Sequence, residues 1–571
     1  MSQLQPSVSG PRELSAIDLI AEDFLEAKIS LSPILATYLG VAGYEDRFDD
    51  FSINGVDREL DLTRQTLRSL EVASQDVTSL DSIDTVTAAA LREELTVSER
   101  ALERVIAGID PTPLNVIDCP VQSVRDAFDL MATTTAQHWE WVLSRLQAVP
   151  KALADYTGAL RYSAERGSVA PRRQVSSVLT QCQAQAQASS STYTSLLADA
   201  GTIPPHLVGP LHAAVRQANA AFGVLAEFLA GDLLSQAPDS DAAGPERYRL
   251  RLRAFLGTEV DLEETYRWGQ DEVARIAAMM HEVAEQIEPG ASIERAIAVL
   301  DDDPQYQLES TAALKAWMQD TADEAISAMA DTHFDIPEPI RTIECMIAPS
   351  QTGIIYYTGP SEDFTRPGRM WWSVPAGVST FTTWRELTTV YHEGVPGHHL
   401  QIAQTTLRQD TLNRWRRLAC WSSGHGEGWA LYAEWLMSDL GYLDDPGMRM
   451  GLLDAQSLRA ARVVIDIGVH CELEAPAEVG GGTWTYDKAW TYLNNHVRME
   501  QDIVRFELDR YLGYPGQAPS YKIGERRWLE LRDEVRRREG DSFDLAAFHR
   551  RALNLGGVGL DVLREAMLSQ A

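Results

Sequence analysis

A chain of 571 residues, 44% hydrophobic and 23% charged, has the balance of a folded protein with a real core. Its formal net charge of −33 argues against nucleic acid and anionic membranes as partners, because phosphate binding needs a basic surface; solubility is the plain meaning of that charge. Five scattered cysteines lack metal or redox spacing, and neither a leader pattern nor 18 uninterrupted apolar residues occurs, so the reading is a cytoplasmic protein.

The first ten residues, rich in Ser, Gln and Pro, read as a loose tail. Apolar residues then recur at helical spacing through Ile17, Leu19, Ile20, Phe24 and Leu25, and a second helix runs from Pro33 to near Leu39-Gly40. Thr63 to Ala107 holds one or two long helices, and Asp110 to Cys119 is a connector. Helical patterns resume over 126–146, 150–165, 175–199 and 211–234, with breaks at Pro204-Pro205 and Val208-Gly209-Pro210. The polar stretch Ser235 to Pro245 marks off an N-terminal helical half, 1–245, from a second half, 246–571, within one continuous fold. Tyr248 to Ile287 is helical, with one charged and one apolar face.

From Ile336 to Phe381 the character changes to Pro, Gly, aromatic and β-branched residues. Ile354-Ile355-Tyr356-Tyr357 and Met370-Trp371-Trp372-Ser373-Val374 read as two short strands, whose edge could take an extended peptide by strand addition. Thr383-Trp384-Arg385-Glu386 has the form of a capping box, opening a helix that carries His392 and Glu393.

The run Tyr391-His392-Glu393-Gly394-Val395-Pro396-Gly397-His398-His399 suggests zinc hydrolysis, in which imidazoles hold the metal and the adjacent carboxylate takes a proton from its water. The usual second histidine at i+4 is replaced by Pro396, which cannot coordinate. His399, at i+7, shares the face of His392 but lies about 10.5 Å further along an ideal helix. His398 faces away in an ideal helix, yet Pro396 and Gly397 make a kink that would bring it round. His398 is preferred, with His399 in reserve. The third ligand is sought at Glu427, placed in the first turn of a helix after the glycine-rich Ser423-Gly424-His425-Gly426. Glu434, at i+7 on the same face, would support a ligand from behind. Beyond this point helices are read over 455–473, 485–512 and 523–538.

Read as His-Glu-x-x-Pro-Gly-His-x-x-Gln, the residues His392, Glu393, Pro396, Gly397, His398 and Gln401 resemble the motif of the bacterial DUF885 family. Glu427 to Glu434, Arg366-Pro367-Gly368, Arg462 to His470, Pro515 to Ala518, Tyr521 to Gly524 and Ala36 to Gly40 resemble its other blocks, so the likeness covers nearly the whole chain. That family is similar in fold to the Taq-type zinc carboxypeptidases. The resemblance implies a mainly α, metallopeptidase-like fold with a deep cleft and a small β-sheet beside the metal helix. It supports His398 as second ligand.

In the implied mechanism His392, His398 and Glu427 hold one zinc ion, which manganese or cobalt could replace, and Glu393 is the general base. Tyr521 is the first candidate for stabilising a tetrahedral intermediate and His470 the second. Arg462, Asp466 and His470 share a helix face that reads either as a site wall or as a buried ion-paired stripe. Arg366, Arg369 and Arg462 are candidate cations for a substrate carboxylate, with Tyr357 as a further substrate contact. Gln401 joins Glu434 as a supporting residue. The substrate is a short peptide or small amide, and a homodimer is compatible with the chain. A zinc enzyme acting on a non-peptide amide, or a binding protein without turnover, are the alternative readings.

Overall fold

The computed structural model describes residues 12–75, 80–198, 203–348, 355–375 and 377–569; the expected N-terminal tail and Ile354 lie outside them. The described chain is mainly helical, with two small sheets. Its helices form where sequence spacing supplies an apolar stripe. Leu262–Ile287 buries Tyr266, Gly269, Val273, Ile276, Met280 and Val283, three or four residues apart. That stripe packs on Pro446–His470, which is buried along most of its length. Contact is close at Gly269, where a Cβ would stand 2.9 Å from Val463 Cγ1.

The apolar residues form two clusters. The smaller gathers side chains from Leu114 to Ala237. The larger joins Ile17 to Leu95 with Tyr248 to Met567. The N-terminal helices are therefore part of the same core as the C-terminal half, and residues 114–237 pack as a satellite. Buried Asp18 ties the two ends together: it pairs with Arg12 and accepts from Asn413 Nδ2 at 2.9 Å. Arg416 donates to Thr87 Oγ1 at 3.0 Å.

Proline is a weaker stop than expected. Pro150 lies inside one unbroken helix, Ala136–Ala164, because Trp139, Val142, Leu146, Val149, Leu153 and Tyr156 bury a continuous face across it. That burial outweighs the lost backbone donor. Pro210 likewise sits inside Pro205–Phe228, so the break falls at Pro204 alone.

The three-stranded sheet has Gly368–Trp372 at its centre. Ile355–Thr358 pairs with it antiparallel, and Ile343–Ile347 pairs with it parallel. The sequence reading missed that third strand. Its outer edge is covered: Gln319 accepts from Cys345 N at 3.0 Å and donates to Ile343 O at 3.0 Å. A second pair joins Gln307–Leu308 to Phe381–Thr382, directly before the helix that carries His392.

Candidate metal centre

Helix Thr383–Glu393 begins without the expected capping box. Thr382 takes the cap position and makes no side-chain cap bond, while the Thr383 hydroxyl donates to Tyr306 O at 3.2 Å. His392 and Glu393 are its last two residues. The chain does not kink there; it breaks. Gly394, a cis Val395–Pro396 bond and Gly397 intervene before a new helix, His398–Leu407. The return is so tight that a Cβ on Gly397 would overlap the carbonyl oxygens of His392 and Tyr391. Trp429 Nε1 donates to Pro396 O at 2.9 Å, fixing this turn to helix Ser423–Asp439. The His392 and His398 rings stand 4.8 Å apart and perpendicular.

Glu427 sits deeper in its helix than expected. Ser423–Asp439 is helical from Ser423, so the glycine-rich segment is its first turn and no loop precedes Glu427. The glycines are needed for packing: a Cβ on Gly424 would crowd Leu256, and one on Gly428 would overlap the backbone of Gly524. Glu427 Oε2 lies 3.3 Å from His392 Nε2 and 3.4 Å from His398 Nε2. All three donor atoms lie within 4.8 Å of one another. Ligands about 2.0–2.1 Å from a tetrahedral zinc would stand roughly 3.3 Å apart, a spacing that the two contacts of Glu427 match. Glu427 Oε2 and Glu393 Oε2 are buried and lack a hydrogen bond of proper geometry, as an oxygen kept for an ion or a water would.

The electrostatics agree with that geometry. Burial would lower the His392 pKa, but Glu427 and Glu434 outweigh it and raise it to about 10. Burial would raise Glu427, but His398 and His392 hold it well below the usual carboxylate range. Glu393 goes the other way. Burial raises its pKa, His398 and His392 oppose that, and the charge of Glu427 adds to it.

Behind His392 lies a buried chain of hydrogen bonds. Glu434 Oε1 accepts from His392 Nδ1 at 2.7 Å, and its Oε2 accepts from the Thr388 hydroxyl at 2.6 Å and from Gln456 Nε2 at 3.5 Å. Gln456 Oε1 accepts from Lys522 Nζ at 2.7 Å, and Lys522 pairs with Glu525 at 2.8 Å and Glu272 at 3.1 Å. Glu434 thus stands where the sequence reading put it. Thr388, Gln456 and Lys522 were missed, since nothing in their spacing marks them.

The remaining candidates separate. His399 is no ligand: its Nε2 donates to Ile340 O at 2.7 Å, so its Nδ1 accepts from the Tyr357 hydroxyl at 2.9 Å. That bond also withdraws Tyr357, 9% exposed, from the substrate role expected of it. His470 is no catalytic group either. It is buried, stacks on Tyr248, and donates from Nε2 to Tyr511 O at 2.9 Å. Asp466 accepts from Tyr248 Oη and Gly516 N. The Arg462–Asp466–His470 face is the buried stripe. Arg462 pairs with Glu507 at 2.7 Å, and Arg369 with Glu344 at 2.7 Å, so both are committed internally. Arg366 makes no ion pair among the described residues. Nor does Arg459, overlooked in the sequence: its Nε is buried without a partner, and its charge acts on Glu393 and Glu434. Tyr521 lies in the first turn of Ser520–Glu539, under the Arg462 guanidinium at 4.9 Å. Burial and then the charge of Glu427 raise its pKa. Gln401 is 1% exposed with both amide atoms unpartnered, and makes no bond to a ligand histidine among the described residues.

The DUF885 family model, described as bacterial protein of unknown function, matches residues 33–567. The chain belongs to the DUF885 family. In fold this DUF885 member is similar to a solved protein of Colwellia psychrerythraea described as a "putative lipoprotein". The TM-score is 0.80 at 22% identity, over 98% of this chain and 99% of that one. A Shewanella oneidensis protein, described as a "putative lipoprotein of unknown function", gives 0.72 at 17% identity, over 97% and 100%. No curated protein matches. No helix among the described residues is long and apolar enough to cross a membrane.

Proposed function

We propose that this DUF885 chain is a zinc-dependent metallohydrolase, a carboxypeptidase-like peptidase that cleaves short peptides at the floor of a cleft. The supporting observation is the convergence of His392 Nε2, His398 Nε2 and Glu427 Oε2 within 4.8 Å, beside the buried, unpartnered Oε2 of Glu393. A resident zinc would polarise the scissile carbonyl and acidify a water at its open position. The resemblance to Taq-type carboxypeptidases belongs to the same proposal.

The chain's own residues divide the remaining work. Glu434 accepts the Nδ1–H of His392, which fixes the ring with Nε2 facing Glu427. Burial gives Glu393 a raised proton affinity, suited to taking a proton from water and handing it to the leaving amine. Tyr521 keeps its proton in this setting and can donate to the developing oxyanion. Arg366 and Arg459, which make no ion pair among the described residues, are the candidate cations for a substrate carboxylate. The described cysteines are all free thiols, which supports a cytoplasmic setting.

The test is elemental analysis of chelator-free protein, with turnover of a short-peptide library. About one zinc per chain is expected, lost in His398→Ala and kept in His399→Ala. A parent that binds no zinc on supplementation would sink the reading. Zinc binding with cleavage confined to non-peptide amides would replace the substrate class only.

A further inference from the structure

Trp421 lies between helix Arg414–Leu418 and the Glu427 helix, and among the described tryptophans it alone is largely exposed, at 45%. Its ring stands 6.1 Å from that of His398, tilted by 55°. The ring is also seated. A Cβ on Gly426, the residue before Glu427, would overlap its six-membered edge, and a Cβ on Gly557 would stand 3.5 Å from its Cε3. Its indole N–H makes no hydrogen bond among the described residues. A rigid, exposed aromatic ring beside a candidate ligand is an ordered binding surface, since little side-chain freedom remains to be lost on contact.

We propose that Trp421 is the specificity platform of this site, on which an aromatic or large apolar side chain flanking the scissile amide is seated. The inference rests on the peptidase reading and extends it to substrate preference. A flat or apolar group gains by stacking on an indole and covering its surface. A cationic side chain, the other partner an indole favours, would meet the charge of an ion held by the neighbouring donors.

The test uses binding, so that it does not depend on turnover. Phenylalanine, alanine and lysine hydroxamates are titrated into zinc-loaded parent, Trp421→Ala, Trp421→Phe and Gly426→Ala, with zinc content measured for each. The parent should prefer phenylalanine over alanine hydroxamate by about tenfold. Trp421→Ala should bring that ratio to near one, with alanine hydroxamate bound within about twofold of parent and one zinc retained; Trp421→Phe should keep most of it. Gly426→Ala, which evicts the ring without deleting it, should lose the preference too. A parent ratio near one, a ratio unchanged in Trp421→Ala, or tighter binding of lysine hydroxamate overturns the platform and leaves the metallohydrolase reading standing. Failure of the parent to hold zinc removes both.

Discussion

Glu393 and Glu434 are both buried carboxylates beside His392, and their surroundings assign them opposite tasks. Glu434 accepts three hydrogen bonds and stays ionised, while Glu393 has an oxygen with none. Glu393→Gln should therefore keep zinc and lose at least about a thousandfold in turnover, measured by metal analysis beside peptide hydrolysis. Glu434→Gln should still turn over but hold zinc roughly 10–100-fold more weakly in a chelator competition, because the His392 ring loses its charged acceptor. For the carboxylate anchor, Arg459→Gln should raise KM for peptides with a free C-terminus more than for amidated ones, whereas Arg369→Gln should move both little. At this scale the sequence was informative where chemistry is written in a short run: His392, His398 and Glu427, which the fold brings together, were the residues it singled out as a group. It was silent where a residue's role depends on a distant partner. Arg462 reads like Arg459 until Glu507 is seen to pair with one, while the other makes no ion pair among the described residues.

Helix positions depend on small residues at crossings. A Cβ on Gly451 would overlap the carbonyl oxygen of Trp384, so helix Pro446–His470 lies directly against the helix that carries His392. Gly451→Ala should cost about 1–3 kcal/mol as the helices separate, seen as a lower Tm. It should also weaken zinc binding, since Gln456 would draw away from Glu434. Gly524 and Gly428 meet in the same way, bringing Tyr521 and Lys522 beside the Glu427 helix. Periodicity revealed most of the helices but not their joins. Pro150 and Pro210 looked like breaks because a local rule was applied where a buried face decided the matter. Strand Ile343–Ile347 was missed because its partner, Gly368–Trp372, lies beyond an intervening strand.

Across the molecule, buried titrating groups pull against each other as pH changes. Burial lowers His399, His425 and His470 to about 4 and His549 to about 3. Each is neutral when folded and takes a proton when unfolded, so its contribution is present above about pH 6.5 and lost as pH falls toward 4. Asp466 has the opposite sign. Burial raises it to about 7, so the folded state keeps a proton that the unfolded chain releases, and stability is lost as pH rises from about 4 to 7. Relative to parent, His549→Gln should gain up to about 1.4 kcal/mol per unit as pH is lowered from 6.5 to 4.5. Asp466→Asn should gain as pH is raised over the same span; denaturant melts at several pH values check both signs. The overall class, mainly helical, was legible from composition and periodicity. The packing of Ile17 to Leu95 into the C-terminal core was not, because nothing in a helix names the surface it will cover.

That shared core has a consequence for synthesis. The helix Ala16–Leu31 rests on Asn413 and its neighbours, and Thr87 receives its hydrogen bond from Arg416. A ribosome adding about 5–20 residues per second leaves the opening helices without their partners for tens of seconds. Through that interval the growing chain presents Ile17, Phe24, Leu25 and Leu91 as unmatched apolar surface. The satellite cluster between Leu114 and Ala237 can meanwhile close on itself. These helices, made before their partners, are thus among the last to be sealed, and nascent-chain chaperones and proteases have long access to them.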